Sequence, residues 1–229
     1  IYVLRLLIKE DIPLNEGILE HIIINLPEGT FLHPTFEDDA EKCPAVVGGN
    51  TDVSQRIVDT LIKALGLAAC SQGTMNNFLF GNDGFGYYET ICGGVGAGNG
   101  YDGRSAVHQH MTKTRMTDVE EFEHNYPVLL NECSIRKHSG GDGRYKGGDG
   151  IIRDITFLET VDMTVISQHR AIPPYGMLGG KPGKTGSQSI ITFNGSETDI
   201  PGIGAHRMPK GSRVIIKTPG GGGYLKSPL

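Results

Sequence analysis

Residues 86–157 read GYYETICGGVGAGNGYDGRSAVHQHMTKTRMTDVEEFEHNYPVLLNECSIRKHSGGDGRYKGGDGIIRDITF, and they carry the strongest structural signals of the chain. Their glycine clusters alternate with short segments rich in β-branched and aromatic residues, a pattern that predicts strands joined by tight turns. Within this stretch His108 and His110 stand two positions apart. In an extended segment both imidazoles would lie on the same side. This density of polar groups and glycine is more typical of a site than of a core.

Glycine is the strongest compositional outlier. It accounts for 34 of 229 residues, about twice the usual share of roughly 7%. The clusters fall at 93–100, 140–150, 179–180 and 220–223, without a fixed period. They therefore predict tight turns between strands, and they argue against a repeat protein or a flexible linker.

Composition excludes several classes of function. The chain is 38% hydrophobic and 21% charged, with a mean hydropathy of -0.20, which is typical of a globular protein with one substantial core or two small ones. The net charge is -5 and no basic block occurs, so nucleic acid is not an expected partner. No apolar run reaches the length of a membrane span, so a membrane partner is not expected either.

The cysteines and the first residue bear on cellular context. The four cysteines are irregularly spaced and form no CxxC pair, which favours reduced thiols in a cytoplasmic protein over a zinc site or a disulfide framework. Residue 1 is Ile, and the chain opens inside a periodic apolar segment. We therefore expect a piece of a longer polypeptide.

Hydrophobic periodicity predicts the elements. A strand is expected at 22–26, a helix at 53–65 capped by Thr51 or Asp52, and a short helix that begins at Thr117 or Asp118 and stops before Pro127. Strands are expected at 128–135, 151–158, 163–168, 189–193 and 213–217, with a hairpin turn at 194–195.

These elements predict an α+β fold, in which a mixed α/β N-terminal half precedes a mostly antiparallel β C-terminal half with glycine-rich turns. We place a domain boundary near Leu130. The expected domains are 1–130, a mixed α/β region that carries the site motifs, and 131–229, a mostly β domain.

The order and spacing of the motifs resemble the hydantoinase B/oxoprolinase family, and within it the C-terminal region of the ATP-dependent 5-oxoprolinases. The matching segments are PLNEG (13–17), VVGGN (46–50), SQR (54–56), SQGTMNN (71–77), FGYYET (85–90), GGVGAG (93–98), GRSAVHQHMTKTRMTD (103–118), YPVLL (126–130), IRKHSGGDGRYKGGDGIIRD (135–154), HRAIPPYGMLGGKPG (169–183) and TPGGGGY (218–224). The resemblance is collinear over nearly the whole chain, whereas any one of these pieces would be weak evidence alone.

The resemblance implies an enzyme that opens a cyclic amide at the expense of ATP, most simply 5-oxo-L-proline to L-glutamate. In this family a hydantoinase A-type, actin-like ATPase module, on the same or a separate chain, binds ATP and Mg and activates the amide. This chain has no GxxxxGK[ST] motif, so we expect the ATP site on that partner. A divalent metal is expected in the family segment that precedes this region, and a homo- or hetero-oligomer is expected. The alternatives are a subunit acting on hydantoin or another lactam, or a non-catalytic remnant with a scaffolding role.

The catalytic candidates are His108, His110 and Glu89. The two imidazoles can transfer protons near neutral pH or bind a metal, although holding loop carbonyls is an equally open interpretation. Glu89 directly precedes the glycine run and would orient an imidazole or a water. Asp118 and Glu120 have a simpler explanation as acids at a helix N-terminus.

The substrate-binding candidates are Asn76, Asn77, Arg104, Thr112 and Arg115. Amide, hydroxyl and guanidinium groups of this kind bind lactam oxygens, carboxylates and phosphoryl groups. Turn formation by the two asparagines is an equally open alternative. The GGVGAG run is a further candidate, because successive backbone N–H groups of glycine-rich loops bind anions.

Overall fold

The computed structural model describes residues 1–8, 10–13, 15–45 and 48–227, so parts of the motifs at 13–17 and 46–50 lie outside the described residues. The chain divides into two compact units, 1–49 and 50–229. The first unit contains helix α1 (Tyr2–Arg5) and 3-10 turns at Glu16–His21 and Ala40–Lys42. Asn15 begins the first of these turns by accepting a hydrogen bond from the N–H of Gly17 at 3.0 Å.

The strand predicted at 22–26 is wrong. Within the described residues of the first unit, this run forms no strand ladder, and the side chain of Ile23 is 95% exposed. β-branched residues favour extended backbone, but a strand also needs a partner that takes up its N–H and C=O groups. The run has the propensity for a strand and lacks that partner.

Two helices of the second unit follow their sequence signals. Helix α2 (Ser54–Ala64) ends before Gly66, whose φ is +65°. Helix α3 (Val119–Asn125) begins at Asp118, whose carboxylate accepts the N–H of Glu120 at 3.0 Å. The predicted cap of α2 is wrong, because a π-helical turn at Gly49–Val53 leads into α2 and no side chain caps its N-terminus.

The second unit contains two antiparallel sheets. Their strands are β1 (Asn77–Asn82), β2 (Phe85–Thr90), β3 (Val128–Arg136), β4 (Gly150–Phe157), β5 (Val161–Ile166), β6 (Ser187–Ile191), β7 (Glu197–Asp199), β8 (Ile203–Met208) and β9 (Arg213–Lys217). One sheet has the order β2-β1-β5-β8 and the other β3-β4-β9-β6-β7. The α+β class and the five strands predicted from residue 128 onward are confirmed. Strands β1, β2, β7 and β8 were not predicted.

The core lies between the inner faces of the two sheets. Phe80 of β1 contacts Phe157 of β4 with ring centroids 5.3 Å apart, and Phe122 of α3 closes the same cluster. Along β5 alternate residues are buried, as a half-buried strand requires. Each fully buried aromatic side chain of the core contributes about 2–3 kcal/mol.

The proposed domain boundary near Leu130 falls inside β3, which pairs with β4 along its length. The division into 1–130 and 131–229 stays a prediction.

Glycine-rich segments at one end of the sheets form a bundle, here called the glycine bundle. It consists of residues 69–72, 93–98, 103–107, 139–149, 174–184 and 219–225, joined by backbone hydrogen bonds. The N–H of Gly94 donates to Pro219 O at 3.0 Å, that of Gly148 to Val95 O at 2.9 Å, and that of Gly221 to Gly148 O at 2.8 Å. These clusters were predicted as turns, but much of their length consists of adjacent segments hydrogen-bonded to one another.

The spacing within the glycine bundle excludes a side chain. A Cβ on Gly221 would lie 2.0 Å from Val95 O, and one on Gly94 would lie 2.0 Å from Gly148 O. Both partners are backbone atoms, which cannot rotate away as a flexible side chain can. Glycine is therefore required at these positions by close approach between segments.

The predicted anion nest at GGVGAG is wrong, because the N–H groups that would bind the anion already donate hydrogen bonds to the protein. The N–H groups of residues 93–98 already donate within the bundle, for example Val95 to Arg104 O at 3.0 Å and Ala97 to Gly222 O at 2.9 Å. These N–H groups are not available to a ligand.

Gly221→Ala is expected to destabilise the chain by about 3 kcal/mol, the upper end of overpacking costs, because the new methyl group meets a fixed carbonyl. The urea midpoint of unfolding measures this. Gly86→Ala is the matched control, since Gly86 is exposed and a Cβ there would meet nothing within 4 Å. Equal midpoints for the two variants would contradict the close-packing argument.

Candidate functional site

Helix α2 presents polar side chains to the interior of its unit. Gln55 and Asp59 are buried and lie on one face at i, i+4 spacing, while Leu61 and Leu65 are 46% and 44% exposed. A surface helix normally buries its apolar stripe. The apolar periodicity predicted the helix, but its buried face is largely polar. Helix α2 therefore places charged and amide groups where they form hydrogen bonds with neighbouring loops.

The π-helical turn that contains Asp52 and the first turn of α2 fix two loops. The Oδ1 of Asp52 accepts hydrogen bonds from the hydroxyl of Thr74 at 2.9 Å and the N–H of Met75 at 3.1 Å. The side chain of Gln55 accepts from the N–H of Met111 at 3.2 Å and donates to Gln109 O at 3.3 Å. These bonds hold the predicted site segments 74–77 and 109–112 against the helix.

His110 pairs with Asp59. The Nε2 of His110 lies 3.3 Å from the Oδ1 of Asp59, and both side chains are buried. His110 also lines an open hollow of about 380 Å³ together with Met111, Lys113 and Thr114. An imidazole oriented by a carboxylate and bordering a cavity has the geometry of a proton-transfer group.

Asp59 is itself held in place on several sides. Its Oδ1 accepts from the N–H of Ser71 at 3.4 Å, and its backbone carbonyl accepts from the hydroxyl of Tyr175 at 2.6 Å. Both partners belong to the glycine bundle. The bundle therefore fixes the carboxylate that orients His110.

Cys70 and His169 extend the cluster on the other side of Asp59. The Sγ of Cys70 lies 3.7 Å from the Nε2 of His169. Burial, followed by the charge of Asp59, raises the pKa of the Cys70 thiol well above its usual range. The thiol stays protonated at neutral pH, so this cysteine is not an activated nucleophile.

The partners of His169 define its tautomer. Its Nδ1 donates to Ile172 O at 2.7 Å, and its Nε2 accepts a hydrogen bond from the Nη1 of Arg56. Burial lowers the pKa of His169. A neutral imidazole with the proton on Nδ1 satisfies both contacts.

Arg170 lies beside this histidine. Its Nε donates to Gln188 Oε1 at 2.7 Å, and its Nη1 donates to Asn76 Oδ1 at 3.0 Å and to Gln168 O at 2.8 Å. Burial, with repulsion from Arg136, lowers the pKa of Arg170 to about 10, so the guanidinium is still charged at neutral pH. Arg56, His169 and Arg170 together line a hollow of about 400 Å³.

The structure places the other catalytic candidates as follows. The Oε1 of Glu89 forms an ion pair with the Nε of Arg153 at 2.6 Å, its Oε2 accepts from the hydroxyl of Tyr87, and burial raises its pKa. Within the part of the chain that the structure describes, the buried Nδ1 of His108 has no hydrogen-bond partner, and burial lowers the pKa of His108. The catalytic roles of His108, His110 and Glu89 stay predictions.

Three of the substrate-binding candidates are engaged with the protein itself. The Nδ2 of Asn76 donates to Gln72 Oε1 at 2.8 Å and to Ile91 O at 3.1 Å. Asn77 bridges Ile166 O and the hydroxyl of Tyr88. The hydroxyl of Thr112 closes a turn with Gln109 O at 2.9 Å.

Arg104 and Arg115 are exposed, and neither belongs to the cluster around Asp59. The binding roles of all five candidates stay predictions.

Sequence reasoning missed Asp59 and Cys70 altogether, and it did not single out His169 or Arg56. Asp59 lies four residues after Gln55, and two polar residues at this spacing within an amphipathic helix were the available signal. Nothing comparable linked Cys70 to His169, which are separated by 99 positions.

No group of three or more His, Cys, Asp or Glu side chains in residues 1–8, 10–13, 15–45 and 48–227 is arranged to hold a metal ion. None of the helices in these ranges is long and apolar enough to span a membrane.

We expect acid to weaken the fold through His169. Its folded pKa is lowered below the ordinary value of about 6.5, so its stabilising contribution is complete above that pH and is lost as the pH falls below it. The buried carboxyls of Asp52 and Glu89, whose pKa values are raised, act in the opposite direction. A His169→Gln variant keeps those carboxyls and loses only the destabilising effect of protonating His169. Between pH 7 and pH 5 its free energy of unfolding should therefore fall by less than that of the wild type.

The measurement is urea unfolding at both pH values. His124→Gln, at an exposed position of α3, is the control and should show the wild-type pH dependence. A His169→Gln variant with the same pH dependence as the wild type would show that this imidazole does not titrate as expected.

Comparisons with known proteins agree with the resemblance noted in the sequence. A profile of the hydantoinase B/oxoprolinase family matches residues 1–226. The 5-oxoprolinase of Dictyostelium discoideum is 45% identical over 98% of this chain and 17% of its own length. 5-oxoprolinase 1 of Arabidopsis thaliana is 47% identical, also over 98% of this chain and 17% of its own. The chain thus spans only about a sixth of these curated relatives.

A solved structure supports the fold. The ATP-dependent caprolactamase from Pseudomonas jessenii superimposes with a TM-score of 0.78, covering 100% of this chain and 43% of that one. At 24% identity this likeness concerns the architecture alone. With a family match that covers almost every residue, the chain belongs to the hydantoinase B/oxoprolinase family.

Proposed function

We propose that this chain forms the C-terminal part of an ATP-dependent cyclic amide hydrolase that converts 5-oxo-L-proline to L-glutamate. The observation that carries this proposal is the 45–47% identity to 5-oxoprolinases along 98% of the chain. The reaction consumes ATP and water and releases ADP and phosphate. ATP is needed because an unstrained amide is a poor electrophile, and phosphorylation of its oxygen makes the carbonyl carbon reactive toward water.

Within this proposal His110 is the side chain that transfers a proton during the hydrolysis of the amide. Its imidazole borders an open hollow, and Asp59 holds it in one orientation from the buried side. General acid–base catalysis of this kind contributes about 10²–10⁴-fold to a rate. His108 and Glu89 remain candidates for supporting roles, although the ion pair between Glu89 and Arg153 favours a positioning function for that carboxylate.

The ATPase step belongs to a partner module in this proposal. We place ATP and Mg on an actin-like, hydantoinase A-type module and any divalent metal on the family segment that precedes this region. The support is the small share of the relatives that this chain covers, which leaves most of their length for other modules. We further propose a cytoplasmic, oligomeric enzyme, in keeping with four cysteines that are all free.

The first test is turnover. The complete polypeptide that contains this chain, together with its ATPase module, should release L-glutamate and phosphate from 5-oxo-L-proline and ATP, and should release no glutamate without ATP. Hydantoin and caprolactam are offered in parallel to identify the preferred ring. A complete protein that hydrolyses none of these cyclic amides would contradict the proposed function and would favour a scaffolding role.

The second test concerns His110. His110→Ala should lower kcat about 100-fold, since the proton-transfer group is lost. Asp59→Asn should lower it by less, because the imidazole remains and only its orienting charge is removed. His124→Ala, at an exposed site on α3, should retain the wild-type rate. Unchanged kcat in the His110→Ala enzyme would exclude this histidine from catalysis even if the activity itself is confirmed.

A further inference from the structure

A second hollow of the unit formed by residues 50–229 has a lining suited to an anion. It has a volume of about 400 Å³ and lies between Arg56 on α2, residues 167–172 and residues 201–203. Arg56 and Arg170 both line it, and none of its described lining residues carries a carboxylate. Ile172, Pro201 and Ile203 provide an apolar wall. The lining therefore combines positive charge with a surface for hydrocarbon.

Arg170 is held rigidly by neutral partners. Its bonds to Gln188, Asn76 and the carbonyl of Gln168 fix the guanidinium plane without cancelling its charge. A side chain already immobilised in this way loses little conformational entropy when a ligand arrives. The guanidinium group of Arg170 is therefore preorganised to bind an anion.

Arg56 is likewise directed by a neutral group. Its Nη1 donates to the Nε2 of His169, whose other nitrogen is fixed by Ile172 O at 2.7 Å. The neighbouring acids make their hydrogen bonds elsewhere, the Oδ1 of Asp52 with Thr74 and Met75, and the Oδ1 of Asp59 with His110 and Ser71.

Neither guanidinium takes part in an ion pair with a carboxylate in the portion of the chain that the structure describes. The Asp52 carboxylate attracts both guanidinium groups but does not line the hollow. An anion bound in the hollow would add a second attraction to both. Guanidinium groups bind planar carboxylates through paired N–H donors.

We propose that this hollow binds the carboxylate of a small cyclic acid through Arg56 and Arg170. The inference rests on the proposed function and narrows its substrate class. Cyclic amides that carry a carboxylate, such as 5-oxo-L-proline, are bound in preference to lactams without one. The volume is within the range of small-molecule sites and exceeds what a five-membered ring acid needs.

Binding to the complete polypeptide, measured by calorimetry without ATP, tests this. The wild type should bind L-5-oxoproline at least about tenfold more tightly than 2-pyrrolidinone, which has the same ring without the carboxylate. Arg56→Gln should weaken 5-oxoproline binding at least about tenfold and leave 2-pyrrolidinone unchanged, because only the charged contact is lost. The affinity of Arg56→Lys for 5-oxoproline should lie between those of the wild type and of Arg56→Gln, since lysine keeps the charge but lacks the paired donors.

Two further variants separate charge from folding. Ile203→Glu adds a negative charge to the wall and should weaken binding of the acid more than binding of 2-pyrrolidinone. Arg207→Gln removes an exposed arginine outside this lining, one that pairs with Asp162, and should bind both ligands as the wild type does. Equal affinities of the wild type for the two ligands, or equal losses for both in Arg56→Gln, would overturn the proposal.

The same variants distinguish this inference from the proposed function. If the wild-type enzyme hydrolyses 5-oxoproline and Arg56→Gln leaves KM unchanged, the hollow is not the carboxylate site although the activity stands. If Arg56 controls binding of the acid in a protein that hydrolyses no cyclic amide, the hollow is confirmed and the catalytic proposal fails.

Discussion

The close approach of backbone to backbone in the glycine bundle is the constraint on which the rest of this structure depends. Carbonyl oxygens occupy the places where side chains would begin, as at Gly94 and Gly221. Because N–H and C=O groups of adjacent segments pair there, buried backbone is satisfied without a regular sheet. The bundle also contains Cys70, Ser71 and Tyr175, which contact Asp59 and His169. A packing arrangement that only glycine permits therefore sets the positions of the side chains at the candidate site.

Helix α2 supplies the second half of that site at a cost to its own packing. Burying Gln55 and Asp59 while Leu61 and Leu65 remain half-exposed gives up apolar burial, which is the main source of helix stability in proteins. Each buried polar group must also find partners, and those partners come from loops separated from the helix by many residues. The helix thus acts less as a core element than as a support to which the loops at 71–77 and 109–112 are attached.

Local signals in the sequence predicted the regular elements, whereas the site depends on contacts that such signals do not contain. Alternating apolar residues predicted β3, β4, β5, β6 and β9, and Asp118 predicted the start of α3, because each pattern reflects burial or capping within a few residues. The apolar run at 22–26 failed as a strand because strand formation also needs a neighbour. His110 was singled out from its local motif, but its partner Asp59 lies 51 positions earlier, on a helix that was predicted from its apolar residues alone. The glycines predicted turns because a cluster of glycines does not distinguish a positive φ from a close contact.

Three of the seven described residues other than glycine that have a positive φ belong to the candidate site. Asn76, His110 and His169 have φ values of +47°, +57° and +54°, in the left-handed region that residues with a Cβ adopt at an energetic cost. Each is held there by side-chain hydrogen bonds, to Gln72, Asp59 and Ile172 respectively. Strained backbone and a helix with its polar face inward each lower the stability of the fold. Both occur beside the buried carboxylate of Asp59, and a role in binding or catalysis accounts for a cost that stability alone does not explain.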